Sequence, residues 1–494
     1  MFHFYTLGGD DSGKDIWDRS GHMEATAGAG VVKRSSYHAS MLSRREFAAS
    51  ALAAAAASAA PTTQNGWRFI HLKGSAEEMG FQHGAQLAQP IVEGRKAIER
   101  IITRDTKKEW SWFREAAQSV FGPRIEDEYR REMQGIAKGL NSQGVNWDYW
   151  DVLALNGWME LAWYYHGWLD RQKGHPTSNA SGNAPEHCSA FVATGSYTKD
   201  GRPVMAHNAW VDYAVGANWN IIFDIQPTNG QRMLMDGYPG LIHSGDDFVI
   251  NQTGLMITET TISGFLSFDP KGVPEFVRAR KAAQYSQSID DFSRLMTAGN
   301  NGGYANNWLV AHARTGEIAS LELGLKNVIL KRTTDGYFAG ANFPVDEKLA
   351  REETDFDLKA DNSPNARRQR WDQLMEQYKG KIDVEAAKRF MADDYDVVDK
   401  KNNACERTLC GRNDLSPRGM KPWQNEYGPA GAVQNKAADA KMATEMRLLA
   451  AMGPQAGPSF KANEHIKAHP EFDWQAGVLK DLPAQAWTEF RIVR

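Results

Sequence analysis

Cysteine is scarce in this 494-residue chain, 3 in all, and neither sign of charge prevails, with 57 Lys+Arg against 61 Asp+Glu. So few cysteines exclude a disulfide-dense scaffold and the zinc-ribbon or iron–sulfur arrangements that need four clustered ligands. A net charge of −4 gives no footprint for nucleic acid, which asks for a basic face or stripe, so none is expected as a partner. A Gly-rich phosphate loop, an HExxH motif and any repeat of about 20–50 residues are all missing. No metal or organic cofactor is expected. What the chain does have is length and 42% hydrophobic residues, enough for two to four domains or one large layered domain.

Near the start, residues 42–61 read LSRREFAASALAAAAASAAP: paired Arg44 and Arg45, then Phe47, then an Ala-rich run closing on Ala57-Ser58-Ala59. This is the pattern of a twin-arginine export signal. The run is shorter and less apolar than the roughly 18–20 residues a membrane span needs, so no stable anchor is expected. Met41 precedes the signal, and residues 1–40 show no apolar periodicity. The expected partition is an upstream extension over 1–40, a signal over 41–59, an N-terminal mostly helical segment over 60–187, and a core over 188–494. Export by this route implies a periplasmic or secreted protein.

Apolar spacing predicts a strand at 67–73 and helices over 76–105, 109–121, 124–140 and 147–165, with Pro90 as a break or kink. Seven tryptophans fall in or just after these helices, from Trp110 to Trp168. Core packing explains them better than a ligand pocket. Residues 170–187 are rich in Gly, Pro, Ser and Asn and predict an exposed mobile loop. From Cys188 to about Ile262 short strands alternate with turns, which predicts an antiparallel sheet built from hairpins. A helix pair (274–284, 288–298), strands at 307–313, 317–323 and 327–332, and helices 363–378 and 383–393 follow. Strands, helices, strands and helices in that order point to an α+β protein of packed layers.

Cys188 stands where the loop meets the first strand, after His187. If its own thiol broke the preceding peptide bond by an N-to-S acyl shift, Cys188 would become a new N-terminus. The freed amine, with a reference pKa of about 7.7–8.0, would then be the local base for a thiol of about 8.5. A lone cysteine that begins a strand is more often a small buried hydrophobe. Hairpin arithmetic around Lys199-Asp200-Gly201 sets Cys188 opposite Trp210 to Tyr213. Simple pairing puts Asn208, Trp210 and Asp212 on the thiol's side and His207 on the other; a bulge at Gly195 would reverse this.

Cys188-Ser189-Ala190, His207-Asn208-x-Trp210-x-x-Tyr213, Tyr238-Pro239-Gly240, Asp246-Asp247-Phe248, Glu259-Thr260-Thr261-Ile262, the Asn306-Asn307 pair before Trp308, and Arg412-x-Asp414-Leu415 occur in this order. In that order the chain resembles the phospholipase B-like (lamina ancestor) family, relatives of the isopenicillin N acyltransferase group among the N-terminal nucleophile hydrolases. The resemblance implies a four-layer αββα sandwich, cleavage between His187 and Cys188, and acyl transfer from a small acyl substrate to water through a Cys188 thioester. It implies that His207 and Trp210 flank the nucleophile, that the Asn307 amide helps hold the oxyanion, and that a buried Arg412 supports the site electrostatically. Glu259, Asp246 and Asp247 are expected as hydrogen-bonding corner and cap residues. The chain departs from the family at the Asn pair, where the family reads Asn-Asn-Gln-Trp. It departs again at Gly431-Ala432-Val433-Gln434-Asn435-Lys436, where some members carry Gly-Gly-Ile-Asp-x-Lys. Cys405 and Cys410, in an oxidising compartment, are expected to pair rather than stay free. The resemblance favours a phospholipid acyl ester as substrate. An amidase or acyltransferase for N-acyl amino acids or peptides is the alternative, and a non-catalytic lipid- or glycopeptide-binding protein a further one.

Overall fold

The computed structural model describes residues 62–174, 187–245, 248–420 and 424–492. The expected export signal and 1–40 extension, Asp246, Asp247 and most of the expected 170–187 loop lie outside these residues. In chain order the strands are β1 (Thr62–Gln64), β2 (Trp67–Gly74), β3 (His187–Thr194), β4 (Val204–Asp212), β5 (Ile221–Pro227), β6 (Met233–Gly237), β7 (Val249–Asn251), β8 (Leu255–Thr261), β9 (Asn306–His312), β10 (Ile318–Leu323), β11 (Val328–Thr333), β12 (Gly336–Gly340), β13 (Tyr395–Asp396), β14 (Lys401–Asn402), β15 (Ala430–Asp439), β16 (Arg447–Met452) and β17 (Thr488–Arg491). One sheet runs β1-β2-β5-β6-β7-β8-β9-β10-β11, a second runs β12-β3-β4-β15-β16-β17, and β13 pairs with β14.

Side-chain alternation in β3 and β4 shows how the layers stack. Ala190 and Val192, with Met205, Ala209 and Val211, join the main core shared with the nine-stranded sheet. Their neighbours Phe191, Ala193, Val204 and Ala206 join a second core with Trp371, Met375 and Phe390. Those three come from helices Ser363–Gln377 and Val384–Met391. Strand β3 also touches β8, β9 and β10 of the other sheet. The nine-stranded sheet in turn packs helices Ala76–Gln86, Glu275–Tyr285 and Ile289–Thr297. The protein is therefore mixed α+β, with sheets and helices arranged compatibly with a layered sandwich.

The predicted elements are found within a few residues of their expected ends, and the segment before Cys188 is mostly helical. The expected break in the first long helix falls at Leu87, where φ is −117° and ψ 20°, between Ala76–Gln86 and Ala88–Thr106. Pro90 sits in the first turn of the second helix, where a backbone donor has no intrahelical partner to lose. Helices Ala76–Gln86 and Asp127–Ser142 approach through glycines: a Cβ on Gly80 would lie 1.9 Å from Glu132 O, and one on Gly84 2.1 Å from Ile136 O.

The expectation of one hairpin sheet from Cys188 to Ile262 is corrected. Strands β3 and β4 belong to the six-stranded sheet and β5 to β8 to the other. β4 takes its second partner from β15, far along the chain, and β5 pairs in parallel with β2. Strand partners at such separations leave no local signal. The expected Cys405–Cys410 disulfide is also corrected, since both thiols are free and buried. They sit in different surroundings: Cys405 Sγ points to Asp396 Oδ2 at 3.5 Å, whereas Cys410 packs with Trp210, Met420 and Ala432. Burial pushes their pKa values up to about 12 and about 11.

Candidate functional site around Cys188

The β3–β4 register decides what faces the thiol. Cys188 pairs with Ala209, Ser189 with Asn208 and Ala190 with His207. The connection shortens through a 3-10 turn at Gly195–Tyr197, with Gly195 at φ +62°. A side chain there would be strained and would meet Asp335. The shortened turn selects the second of the two parities left open by the sequence. His207 therefore shares the thiol's face, and Asn208 and Trp210 lie on the opposite face.

Cys188 Sγ, a ring nitrogen of His207 and a carboxylate oxygen of Glu259 lie within 4.8 Å of one another, and all three residues are buried. Burial, and then the Lys436 ammonium, drive the His207 pKa well below its usual value, so the ring is neutral. Neither of its nitrogens has a hydrogen-bond partner among the described residues. Lys436 is His207's cross-strand neighbour and pairs with Asp236 at 2.9 Å, a fully buried ion pair linking β15 to β6 of the other sheet. Tyr304 Oη donates to Glu259 at 3.4 Å. The same three donors around the thiol could hold a metal ion, although the charge of Lys436 works against a dication.

The backbone of Cys188 is gripped on both sides. Its N–H donates to Asn342 Oδ1 at 2.8 Å, and its C=O accepts from Arg367 Nη1 at 2.6 Å. Arg367 Nη2 also donates to Asn342 Oδ1 at 3.1 Å, and Asn342 Nδ2 donates to Thr261 O at 3.0 Å. The Arg367 guanidinium lies 4.2 Å from the Trp210 ring centroid, and desolvation lowers its pKa to about 9. Asn342 and Arg367 were not singled out in the sequence. A left-handed Asn and an Arg within a helix are ordinary features until the fold brings them to Cys188. Glu259 was expected as a corner residue, and the fold brings it to the thiol as well.

The remaining expected residues are placed as follows. His187 is the first residue of β3, paired with Trp210. Trp210 Nε1 donates to Asn208 Oδ1 at 2.9 Å, an atom that also accepts the Ser189 N–H at 3.0 Å. The Trp210 ring thus braces the β3 backbone from behind. Asn307 lies on β9, a strand in contact with β3, and its Oδ1 accepts from Ser320 Oγ at 2.6 Å. Arg412 is buried as expected. Its guanidinium donates to Asp414, through Nε at 2.9 Å and Nη2 at 2.8 Å, and to the carbonyls of Ala456 and Pro458. These bonds tie together two loops, whereas the guanidinium at the Cys188 backbone belongs to Arg367.

Comparison with known proteins places these elements in a wider group. A family model described as Phospholipase B matches residues 132–322, a stretch holding Cys188, His207, Glu259 and Asn307. The chain is 28% identical over 301 residues to a phospholipase B of Crotalus adamanteus, covering 54% of this chain and 52% of that protein. It is 25% identical over 305 residues to phospholipase B-like 1 of Homo sapiens, with the same two coverages. An uncharacterised protein of Archaeoglobus fulgidus matches at 25% over 264 residues, covering 48% of this chain and 40% of its own. The chain spans about half the length of the curated phospholipase B relatives it matches. On these matches it is a relative of phospholipase B and the phospholipase B-like proteins.

Proposed function

We propose that this chain is a cysteine hydrolase of the N-terminal nucleophile type, an αββα sandwich that cuts itself between His187 and Cys188 and then cleaves carboxylic esters of phospholipids. The observation that carries this reading is the setting of Cys188, at the first residues of a strand. Its thiol lies within 4.8 Å of His207 and Glu259, and its nitrogen and carbonyl are separately held by Asn342 and Arg367. Self-cleavage moves the acyl group of His187 from the Cys188 nitrogen to its sulfur. The nitrogen leaves with a proton, and water then releases the His187 carboxylate. The new amine stays beside Asn342 Oδ1 and takes the thiol proton in each later turnover. The thiolate attacks the substrate carbonyl, the alcohol departs, and water hydrolyses the thioester.

The Ser320 hydroxyl, by donating to Asn307 Oδ1, turns the amide so that its NH2 is the side left to donate. A preorganised donor at an oxyanion is worth about 2.7–4 kcal/mol of barrier. The relatives' names support the phospholipid ester over the N-acyl alternatives. Intact-mass analysis tests the reading. Wild type yields a fragment beginning at Cys188, and Cys188→Ala remains one chain. An uncut wild type indistinguishable from Cys188→Ala overturns it. The twin-arginine segment makes export part of the same proposal, tested by whether Arg44→Lys/Arg45→Lys retains the protein in the cytoplasm.

A further inference from the structure

Buried polar side chains nearly always find a hydrogen-bond partner, and one that does not calls for an explanation such as a bound ion. His207 is such a case. It is 0% exposed, and among the described residues neither Nδ1 nor Nε2 has a partner. One ring nitrogen stands within 4.8 Å of both Cys188 Sγ and a Glu259 carboxylate oxygen, and those two atoms lie within the same distance of each other. Cys188 and Glu259 are equally enclosed, at 1% and 0% exposed. The three side chains come from β3, β4 and β8, strands of two different sheets, so the packing of the sheets holds them together.

Thiolate, imidazole and carboxylate together are a ligand set for zinc, whereas magnesium and calcium take oxygen ligands throughout. Zinc–ligand bonds of about 2.0–2.3 Å set tetrahedral ligand atoms about 3.4–3.6 Å apart, so the trio has to close by at most about 1.4 Å. Charge favours the assembled centre. A thiolate and a carboxylate cancel the dication, which leaves a neutral complex in a buried place where a net charge would be costly. Lys436, the cation next to His207, is paired with Asp236 at 2.9 Å and faces no net charge once the metal is bound.

We propose that Cys188, His207 and Glu259 form a zinc site, with water in the fourth position, that holds the thiol as a thiolate and keeps it from attacking. On binding, the S–H bond gives way to an S–Zn bond and the proton leaves to solvent; nothing is oxidised or reduced. The sulfur lone pair required for the N-to-S acyl shift, and for attack on a substrate carbonyl, is then committed to the metal. Zinc is a reversible lock on the thiol and takes no part in acyl transfer. The site stands on its own geometry, and its effect on the cut rests on the self-cleaving reading of Cys188 above.

Titration of chelator-stripped wild type with cobalt(II), then zinc, tests the site without any turnover. One cobalt per chain is expected, with a sulfur-to-metal charge-transfer band that zinc abolishes and calcium and magnesium leave in place. Cys188→Ala loses the band, and Cys405→Ser/Cys410→Ser keeps it. His207→Gln and Glu259→Gln should each weaken zinc by at least about tenfold, the loss typical of even an outer-shell partner. No band, or zinc affinity unchanged in both of these variants, overturns the site. Alkylation of wild type serves if the variants do not fold: zinc should slow iodoacetamide labelling of Cys188, read by peptide mass, and leave Cys405 and Cys410 unaffected. Unslowed Cys188, or equal slowing of all three thiols, overturns the site. Zinc during synthesis should raise the uncut fraction, and a chelator should restore the cut. Zinc binding that depends on the trio, in a chain that never cuts, would keep the site and overturn the self-cleaving reading. A chain that cuts but binds no zinc would do the reverse.

Discussion

Asn342 holds the backbone nitrogen of Cys188 through its side-chain oxygen at 2.8 Å, from a residue at φ +66°. Asn tolerates the left-handed region better than most residues. Asn342→Ala therefore loses twice, in backbone strain and in leaving the Cys188 N–H and one Arg367 donor without their acceptor. The expected destabilisation is about 1–3 kcal/mol, read by urea unfolding. The proposed cut at His187–Cys188, read by mass, should also slow.

Arg367 and Asn342 share an acceptor and should be energetically coupled. In a double-mutant cycle with Arg367→Met and Asn342→Ala, an interaction term of about 0.5–3 kcal/mol is expected. Additivity would show that the two grip Cys188 independently. Arg367→Lys should recover little, because an ammonium lacks the fork that reaches Cys188 O and Asn342 Oδ1 together.

Lys436 and Asp236 are fully buried and bridge the two sheets. Replacing Lys436 by Met strands a buried carboxylate and should cost about 3–5 kcal/mol by chemical denaturation. The double variant Lys436→Met/Asp236→Asn should lose less. In that double variant the His207 pKa should rise, because Lys436 is the second of the two causes that depress it. The imidazole shift followed by NMR against pH reads the change.

Asp212 should leave a signature in the pH dependence of stability. Its folded pKa is raised from 3.8 to about 7, so the folded protein binds more protons than the unfolded chain between those values. Stability from this group is complete below the unfolded pKa and is lost as pH rises through about 7. The melting temperature should therefore fall across this window. Asp212→Asn should flatten that part of the profile.

Gly84 carries the close approach of two helices. Its substitution by Ala would put a Cβ 2.1 Å from Ile136 O, a backbone atom that cannot swing aside. A cost of about 1–3 kcal/mol or more is expected in thermal unfolding. The solvent-exposed Gly144, with nothing near its Cβ position, is the control, where only the strain of φ +81° applies.

Much of the local structure was legible in the chain, because helix and strand periods are written in neighbouring residues and survive without tertiary context. Cys188 at a strand start, His207 nearby and the turn glycines all belong to that class. The net charge of −4 concealed a local cationic row at Lys96, Arg100, Arg104 and Lys107, since a total says nothing of position. Glu259 was visible yet read as a corner, because its distance from Cys188 in the chain hides its distance in space.

By itself the sequence determined the order and type of elements, the placement of a thiol where a strand begins, and the kinship with phospholipase B-like proteins, all of which reside in short segments. Only the tertiary structure decided that β3 and β4 leave the following strands for another sheet, that a shortened turn at Gly195 brings His207 to the thiol, and that Asn342, Arg367 and Glu259 converge there. These features depend on pairings between residues far apart in the chain. Their free energy comes from burial and hydrogen bonds that exist only once both partners are in place.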